Sequence, residues 1–213
     1  MELRGVEGAE RELMADPRVA VVCLSDRPLA LPLLLQALAL QTMPDFECWV
    51  LDQSERPDFF EDGEPSDPRI WAAVGRMQDR RFRYKPVQRI GDCGQTVKAW
   101  AAGSLARSEW ICFPNDDAYY VPGFFERMLD AADRQGLDLV YCDWIFDKFG
   151  YVHYEGKPVV GHIDVGGFLV KRSVLEAVGW QDKSSVGDGK LIEAIVEAGY
   201  RHGKASGVLY VKN

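Results

Sequence analysis

The amino-acid sequence predicts an α/β fold in which a mainly parallel sheet carries helices on both faces, with a smaller mixed part towards the C-terminus. Residues 18–25, RVAVVCLS, form a continuous Val-rich apolar run, which is typical of a strand covered on both faces. Strand-length apolar runs then alternate with helix-period segments up to residue 143, the order expected of a βαβ series. Acids also follow four of the five predicted strands.

The predicted elements follow one another in a regular order. The strands are residues 18–25, 46–52, 82–87, 110–113 and 137–143, and the helices between them are 31–41, 70–78, 95–106 and 122–134. Pro32 is tolerated because it falls in the first turn of its helix, where its missing N–H is not needed. Residues 54–69 are polar and rich in Pro, which indicates a loop.

The sequence changes character after residue 143. Residues 144–160 are rich in aromatics and indicate a hairpin or an irregular excursion. A strand is predicted at 165–170, helices at 172–178 and 188–197, and a last strand at 208–211. We therefore predict a single domain over residues 18–213, made of the halves 18–143 and 144–213, and a flexible N-terminal extension at 1–17.

Composition and charge exclude several classes of protein. The chain has 213 residues, 47% apolar and 27% charged, so it can bury a core without disulfide or metal staples. Its formal charge of −8 argues against nucleic-acid binding, which needs clustered Lys and Arg. No apolar run reaches the ~18 residues of a membrane span, and the N-terminus resembles neither a signal nor a transit peptide. Five cysteines without a C-x-x-C pair argue against a disulfide framework or a zinc site, which favours a cytoplasmic location.

The acids at the predicted strand ends are Asp26, Asp52, the pair Asp116 and Asp117, and Asp143. In open α/β sheets, ligands bind beyond the carboxyl ends of the strands. Carboxylates gathered at one edge repel each other unless a cation lies among them. Mg²⁺ and Mn²⁺ are typically held by one or two carboxylates, with substrate phosphates and water completing the coordination. We therefore expect Mn²⁺ or Mg²⁺ at this edge.

Several blocks of the sequence occur in an informative order. They are VAVVCLSDRP followed by QTMPDFECWVLDQS, then GDCGQTVKAWAAGSLARSEWICFPNDDAYYVPGFF, then HIDVGGFLVKRSVLEAVGW, and finally SSVGDGKLIEAIVEAGY. Together they resemble the family 2 glycosyltransferases of the GT-A fold, from residue 18 over nearly the whole chain. The resemblance implies a Rossmann-like GT-A domain, with a nucleotide-binding half at 18–143 and an acceptor-side half at 144–213.

The resemblance also implies a nucleotide-sugar site. Asp52 would accept hydrogen bonds from the base, and Ser25, Asp26 and Arg27 would lie near the nucleotide. Asn115, Asp116 and Asp117 occupy the positions of the D-x-D-type motif, with Asp117 as the metal ligand and the other two near the nucleotide. Asp188 matches the acid that acts as base in inverting members.

Two departures from the family pattern stand out. The first D-x-D position is Asn115, a neutral ligand, which predicts weaker metal affinity. The usual Glu-Asp pair is Gly187-Asp188 in this chain, so half of that signature is missing.

Each candidate residue also has a structural interpretation. Helix capping competes for the pair at 116–117 and for Asp188, because Asp favours helix N-termini. Asp52 could begin a loop, and Asp143 is interpreted as structural. Lys98 could meet a phosphate or be a solvated surface lysine.

Further candidates lie in the acceptor-side half. His162 and Asp164, two apart in a predicted extended segment, should share a face and could assist at the metal or line the acceptor pocket; a structural pair is the alternative. Trp144, with Phe146, Tyr151 and Tyr154, could stack on a sugar, form core, or form an oligomer contact.

The sequence therefore predicts a metal-dependent, inverting glycosyltransferase that moves a sugar from a nucleoside-diphosphate sugar to a carbohydrate or other hydroxyl acceptor. A UDP-sugar is the favoured donor, with GDP and dTDP open. The alternative is a non-catalytic nucleotide-sugar or carbohydrate binding module of the same fold. A nucleotidyltransferase would need a Gly-rich, Arg-containing loop after the first strand, and LSDRPLAL has none. The chain also lacks the G-x-G-x-x-G fingerprint and the phosphate-binding P-loop.

Overall fold

The computed structural model describes residues 16–54, 67–148 and 150–213. The predicted extension at 1–17 lies outside the described residues except for its last two, and so does most of the predicted loop at 54–69. The helices are α1 (Leu31–Ala39), α2 (Pro68–Arg76), α3 (Gln95–Ser104), α4 (Phe124–Gln135), α5 (Arg172–Val178) and α6 (Gly187–Glu197). The strands are β1 (Val19–Ser25), β2 (Phe46–Asp52), β3 (Phe82–Pro86), β4 (Trp110–Cys112), β5 (Tyr119–Tyr120), β6 (Leu139–Phe146), β7 (Val152–Tyr154), β8 (Phe168–Lys171) and β9 (His202–Lys212).

The strands of the described residues form one sheet in the order β3-β2-β1-β4-β8-β6-β9-β5, with β7 paired to β6. Parallel pairing joins β1 to β2 and β4, β2 to β3, and β6 to β9. Strand β8 lies antiparallel between β4 and β6, so those two strands still point the same way. The predicted mainly parallel sheet is confirmed, and it runs without interruption through both predicted halves.

Helices cover both faces of the sheet, as predicted. Along β1, Val19, Val21 and Cys23 pack in one core with α1, α2 and α4. The alternate residues Ala20 and Val22 pack in a second core with α3, α5 and α6. Because successive side chains of a strand point to opposite faces, a strand between two helical layers must be apolar throughout.

The second half of the sheet departs from the prediction. Strand β6 does not end at Asp143 but continues to Phe146, with register shifts on either side of Asp143. The Asp143 carboxylate accepts from the Gly156 N–H at 2.8 Å and pairs with Lys204 at 2.6 Å, so its charge is tolerated inside a strand. This contact supports the structural interpretation of Asp143.

The last strand is longer than predicted, and one strand was missed. β9 begins at His202, although its first residues, HGKASG, are polar and Gly-rich and carry no alternating pattern. β5 has only two residues, too few for any periodicity, and it pairs with β9 through Tyr119 and Tyr120. Within the described part of the chain, no helix is both long and apolar enough to cross a membrane.

Candidate active site

The carboxyl ends of β1, β2 and β4 meet at one edge of the sheet, which we call the site edge. Ser25 at the end of β1 is opposite Asp52 at the end of β2. A single bridge between Leu24 and Asn115 extends the pairing of β1 with β4. Asp52 and the motif at 115–117 therefore flank the same strand end.

Asp116 fastens the end of β1 to the segment that follows β4. Its side chain is 1% exposed. Its Oδ2 atom accepts from the Ser25 hydroxyl at 3.0 Å and from the N–H groups of Asp26 and Arg27 at 3.2 and 3.0 Å. The Arg27 guanidinium pairs with Oδ1. Because both oxygens have partners, this buried charge is compensated by the chain itself.

Asp117 is the less satisfied of the two acids. Its side chain is 12% exposed, and its Oδ2 atom pairs with the Arg27 guanidinium. Its Oδ1 atom is buried and has no hydrogen-bond partner among the described residues. Burial raises the pKa of Asp117; the Arg27 charge opposes this shift and the Asp116 charge adds to it. Such an unpartnered carboxylate oxygen suits a hard cation.

Asp52 is completely buried at the same edge. Its Oδ1 atom accepts from the Ser54 N–H at 2.9 Å, and its Oδ2 atom accepts from the Asp67 N–H and the Tyr84 hydroxyl, both at 2.8 Å. Of the roughly four acceptor positions of the Asp52 carboxylate, three are therefore taken by described residues. Asp26 lies one residue beyond β1, partly exposed, and pairs with Arg89 at 3.3 Å.

Asp164 is the centre of a buried hydrogen-bond network. Its Oδ1 atom accepts from Tyr210 at 2.7 Å, from the Asn115 amide at 3.2 Å and from the Gly166 N–H at 3.1 Å. Its Oδ2 atom pairs with Lys212. The network joins the motif at 115–117 to β9 and to the short 3-10 helix Val165–Gly167.

Asp188 lies in the first turn of α6, next to this network. Its Oδ2 atom accepts from the Val165 N–H at 3.1 Å and its Oδ1 atom from the Gly189 N–H at 2.9 Å. Burial raises the pKa of Asp188, and the negative charge of Asp164 adds to this shift, while the Gly189 N–H and the Lys98 charge oppose it. A carboxylate with a raised pKa is a stronger base than an ordinary one.

Lys98 and Gln95 project from α3 towards the start of α6. Lys98 is 8% exposed, and its ammonium lies 5.6 Å from the centre of the Trp180 ring. Burial lowers the pKa of Lys98, whereas the charges of Asp188 and Asp164 raise it. The indole N–H of Trp180 donates to the Gly187 carbonyl at 3.0 Å. Gln95 is 3% exposed, and its Oε1 atom has no partner among the described residues.

The sequence of the chain matches the family described as Glycosyl transferase family 2 over residues 19–171. The chain belongs to this family. A comparison with curated protein sequences gives no match.

Solved structures with the same fold include glycosyltransferases. TarS 1–349 of S. aureus has a TM-score of 0.72 at 14% identity, and the alignment covers 92% of this chain and 60% of TarS 1–349. The same protein with UDP-GlcNAc has a TM-score of 0.71 at 12% identity, covering 92% and 58%. The mannosyltransferase PcManGT from Pyrobaculum calidifontis, with GDP-Man and Mn²⁺, has a TM-score of 0.71 at 16% identity, covering 93% and 57%. Identities this low show the shared fold alone, which confirms the predicted GT-A fold, and the chain spans 60% or less of these proteins.

The missing half of the family 2 Glu-Asp signature has a steric explanation. A Cβ atom added at Gly187 would lie 2.3 Å from the Asp182 carbonyl oxygen and 3.1 Å from the Gln95 amide nitrogen. Backbone at 2.3 Å cannot be moved cheaply, so this chain has no room for a Glu at that position.

We expect Gly187→Ala to lower the free energy of unfolding by about 1–3 kcal/mol, because the new methyl group overpacks a backbone contact. The matched control is Gly75→Ala in α2, where an added Cβ would meet nothing within 4 Å. That variant should gain about 0.5–1 kcal/mol from its better helix propensity. Urea unfolding of both variants should show a lower free energy of unfolding for Gly187→Ala and a higher one for Gly75→Ala. Equal stabilisation by both would contradict the steric explanation.

The neutral residue at the first D-x-D position also has a local reason. The Asn115 amide donates to the Asp164 carboxylate and, at 3.2 Å, to the Tyr210 hydroxyl. An Asp at position 115 could not donate, and it would bring a second negative charge against Asp164.

None of the three candidate acids is the N-cap of a helix. Helix α4 begins at Phe124 with Gly123 as its N-cap and no side-chain cap, so neither Asp116 nor Asp117 caps it. Helix α6 has Val186 as its N-cap. Asp188 is therefore not a cap, but its charge lies in the first turn, where the helix dipole favours an anion.

His162 and Asp164 do not share a face, which corrects the prediction. Residues 160–162 form a turn rather than an extended strand, and His162 is exposed whereas Asp164 is 4% exposed. Trp144 is 6% exposed and stacks on Tyr154 with ring centres 4.2 Å apart. One face of its indole is therefore covered, and Tyr154 forms the outer ring of the pair.

The residues that sequence reasoning missed lie mainly on β9 and before α6. Lys212 and Tyr210 hold Asp164, while Trp180 and Gln95 enclose Lys98 and Gly187. The apolar run at residues 208–211 indicates a strand, but it does not indicate which acid the neighbouring Lys212 reaches.

Among the residues that the structure describes, no group of three or more His, Cys, Asp or Glu side chains forms a complete metal site. At the site edge the structure instead offers Asp117, whose Oδ1 atom is buried and has no hydrogen-bond partner among the described residues. That donor set fits Mg²⁺ or Mn²⁺ held jointly with substrate phosphates, because both cations prefer oxygen ligands and keep few protein ligands.

Proposed function

We propose that this member of glycosyl transferase family 2 is a metal-dependent, inverting hexosyltransferase that transfers a sugar from a nucleoside-diphosphate sugar to an acceptor hydroxyl. The observation that carries the proposal is that a buried carboxylate with a free oxygen, Asp117, and a carboxylate with a raised pKa, Asp188, belong to one connected region. Asn115 binds Asp164, and the next residue, Val165, binds Asp188.

Asp117 and Asp188 would each stabilise one of the two charge changes in the reaction. The leaving diphosphate gains negative charge as its bond to the anomeric carbon breaks, and a divalent cation held by Asp117 would supply the compensating charge. The incoming hydroxyl must lose a proton, which the Asp188 carboxylate accepts as general base. Lys98 and the Gly189 N–H favour the ionised form of Asp188, and so oppose the effects of burial and of Asp164 on its pKa.

A single base is the reason for proposing inversion. Asp188 would remove the proton as the acceptor oxygen attacks the anomeric carbon from the side opposite the diphosphate, which inverts that carbon. A two-step, retaining route would require a nucleophile placed to form a glycosyl-enzyme bond. Asp164, the other carboxylate beside Asp188, has both oxygens bonded to Tyr210, Asn115, Gly166 and Lys212.

The donor class is supported by proteins of the same fold. TarS 1–349 has been solved with UDP and with UDP-GlcNAc, and the mannosyltransferase with GDP-Man and Mn²⁺. We favour a UDP-sugar, and we infer that Asp52, Ser25 and Asp26 lie beside the nucleotide because they surround the end of β1.

Thermal unfolding with nucleoside diphosphates tests the proposal. A ligand at about 100 times its Kd stabilises by about 2.7 kcal/mol, which raises the Tm of a chain of this size by about 5–10 °C. We expect UDP or GDP to raise the Tm by this amount with Mn²⁺ and much less with EDTA. Equal shifts in both conditions would contradict metal dependence.

Turnover separates an enzyme from a binding module. The alternative is a non-catalytic nucleotide-sugar module. The observation behind it is that Gly187 occupies the position of the family Glu. An enzyme should slowly hydrolyse its donor, whereas a module should bind the donor and leave it intact.

A further inference from the structure

Arg27 holds the two acids of the motif together. One nitrogen of its guanidinium pairs with Asp116 and another with Asp117. The Arg27 side chain is 49% exposed, while those of Asp116 and Asp117 are 1% and 12% exposed. The guanidinium therefore covers the carboxylates from the solvent side, where a cation and a diphosphate would have to arrive.

The two carboxylates depend on Arg27 to different extents. Asp116 keeps three other donors, from Ser25 and two backbone N–H groups. Asp117 has no second side-chain partner, and its other oxygen is unpartnered among the described residues. A divalent cation that binds Asp117 must compete with a guanidinium that stays charged at all ordinary pH values.

We propose that Arg27 exchanges partners when the donor binds. In the ligand-free protein its guanidinium neutralises Asp116 and Asp117; with the donor bound it leaves Asp117 to the cation and pairs with the diphosphate. This inference rests on the proposed function. The planar fork of Arg suits phosphate oxygens as well as carboxylates. The Arg27 N–H stays on Asp116, so only the side chain needs to move.

The exchange makes binding of the cation and of the diphosphate cooperative. The cation displaces Arg27 at a cost, and the diphosphate offsets that cost by giving the guanidinium a new partner. Each ligand then strengthens binding of the other by the same factor.

Isothermal titration with Arg27→Met tests the exchange. We expect Mn²⁺ alone to bind the variant about tenfold more tightly, and UDP or GDP with saturating Mn²⁺ to bind about tenfold more weakly. Arg27→Lys keeps the charge but loses the fork, so its Mn²⁺ affinity should stay near that of the wild type while diphosphate affinity falls. Arg89→Met removes an equal charge nearby, on Asp26, and should change both affinities less than about twofold.

The possible outcomes distinguish the inference from the proposed function. Unchanged or weaker Mn²⁺ binding by Arg27→Met, in a protein whose wild type binds Mn²⁺ and UDP or GDP, would overturn the exchange alone. Binding of neither Mn²⁺ nor diphosphate by the wild type and by all three variants would overturn the proposed function, and the exchange with it. Mn²⁺ binding by Arg27→Met but not by the wild type would support the exchange.

Discussion

Asp188→Asn should reduce sugar transfer by about 10²–10⁴-fold, the usual contribution of a general base, while nucleoside-diphosphate binding stays unchanged. The amide keeps the shape of the side chain and can still accept from the Val165 N–H, but it cannot take a proton from the acceptor hydroxyl. The measurements are initial rates of transfer, from sugar donors that carry the nucleoside diphosphate giving the larger Tm shift, and titration of that nucleoside diphosphate.

Glu193→Gln is the matched control, because it makes the same chemical change on the same helix. Glu193 is partly exposed, pairs with Lys190 at 2.7 Å and accepts from the Val160 N–H at 3.0 Å, and the amide oxygen of a Gln can still accept from that N–H. Transfer by this variant should equal that of the wild type. Undiminished transfer by Asp188→Asn would exclude Asp188 as the base.

The raised pKa of Asp188 also predicts how transfer depends on pH. The rate should fall on the acid side around a pKa above that of an ordinary Asp, because only the ionised carboxylate is a base. This limb should be absent from the residual rate of Asp188→Asn.

The raised pKa of Asp188 also makes the free energy of unfolding depend on pH, but this free energy falls as pH rises, whereas the transfer rate increases. As pH rises above the ordinary Asp pKa, the unfolded state ionises first, so the folded state loses stability until pH passes the raised pKa. Asp188→Asn should escape this loss and unfold at higher urea than the wild type at neutral pH, but not below pH 3 or so.

Asp117→Asn should weaken Mn²⁺-dependent nucleotide binding by more than about 100-fold. Changes to groups that only support metal ligands already cost about 10–100-fold in metal affinity, and Asp117 would be a ligand itself. The neutral amide also frees Arg27 from half of its pairing. The measurement is the Tm shift with UDP or GDP and Mn²⁺, which should disappear.

Asp133→Asn provides the control for this variant. Asp133 pairs with Arg18 at 2.6 Å and is 54% exposed, away from the site edge. Its Mn²⁺-dependent shift should match the wild type. If Asp117→Asn retained the full shift, the cation would have to bind through other groups.

The first half of the fold could be predicted closely from the sequence. Strand β2 was predicted with its observed ends, Phe46 and Asp52, and the ends of β1 and α1 were predicted within two residues. These elements are buried on both faces or amphipathic, so their patterns are continuous. β5 and the first part of β9 could not be predicted from their own residues. β5 is a strand because it pairs with Tyr210 and Val211 at the end of β9, and the first part of β9 is a strand because it pairs with β6.

The acids of the candidate site, and Arg27 and Lys98 among its basic residues, could be proposed from the sequence, but the pairing of each acid with a basic side chain could not. An Asp at the end of a buried strand is visible in the sequence, and the edge of a parallel sheet brings such residues together. Which lysine or arginine neutralises which acid depends on side-chain reach over long separations, such as the 48 residues between Asp164 and Lys212. The antiparallel insertion of β8 between β4 and β6 and the register shifts of β6 against β9 affect those approaches, and no sequence pattern indicates either feature.

Strand β9 makes the candidate site depend on contacts between residues that are far apart in the sequence. It supplies Lys212 and Tyr210 to Asp164, it pairs with β5 directly after the motif at 115–117, and the Asn213 amide donates to the Asp117 carbonyl at 2.6 Å. The contacts of Asn115 with Tyr210 and of Asp117 with Asn213 span 95 and 96 residues. Because loop closure makes contacts of such long range costly in entropy, a substitution that loosens β9 should disturb the motif without touching it.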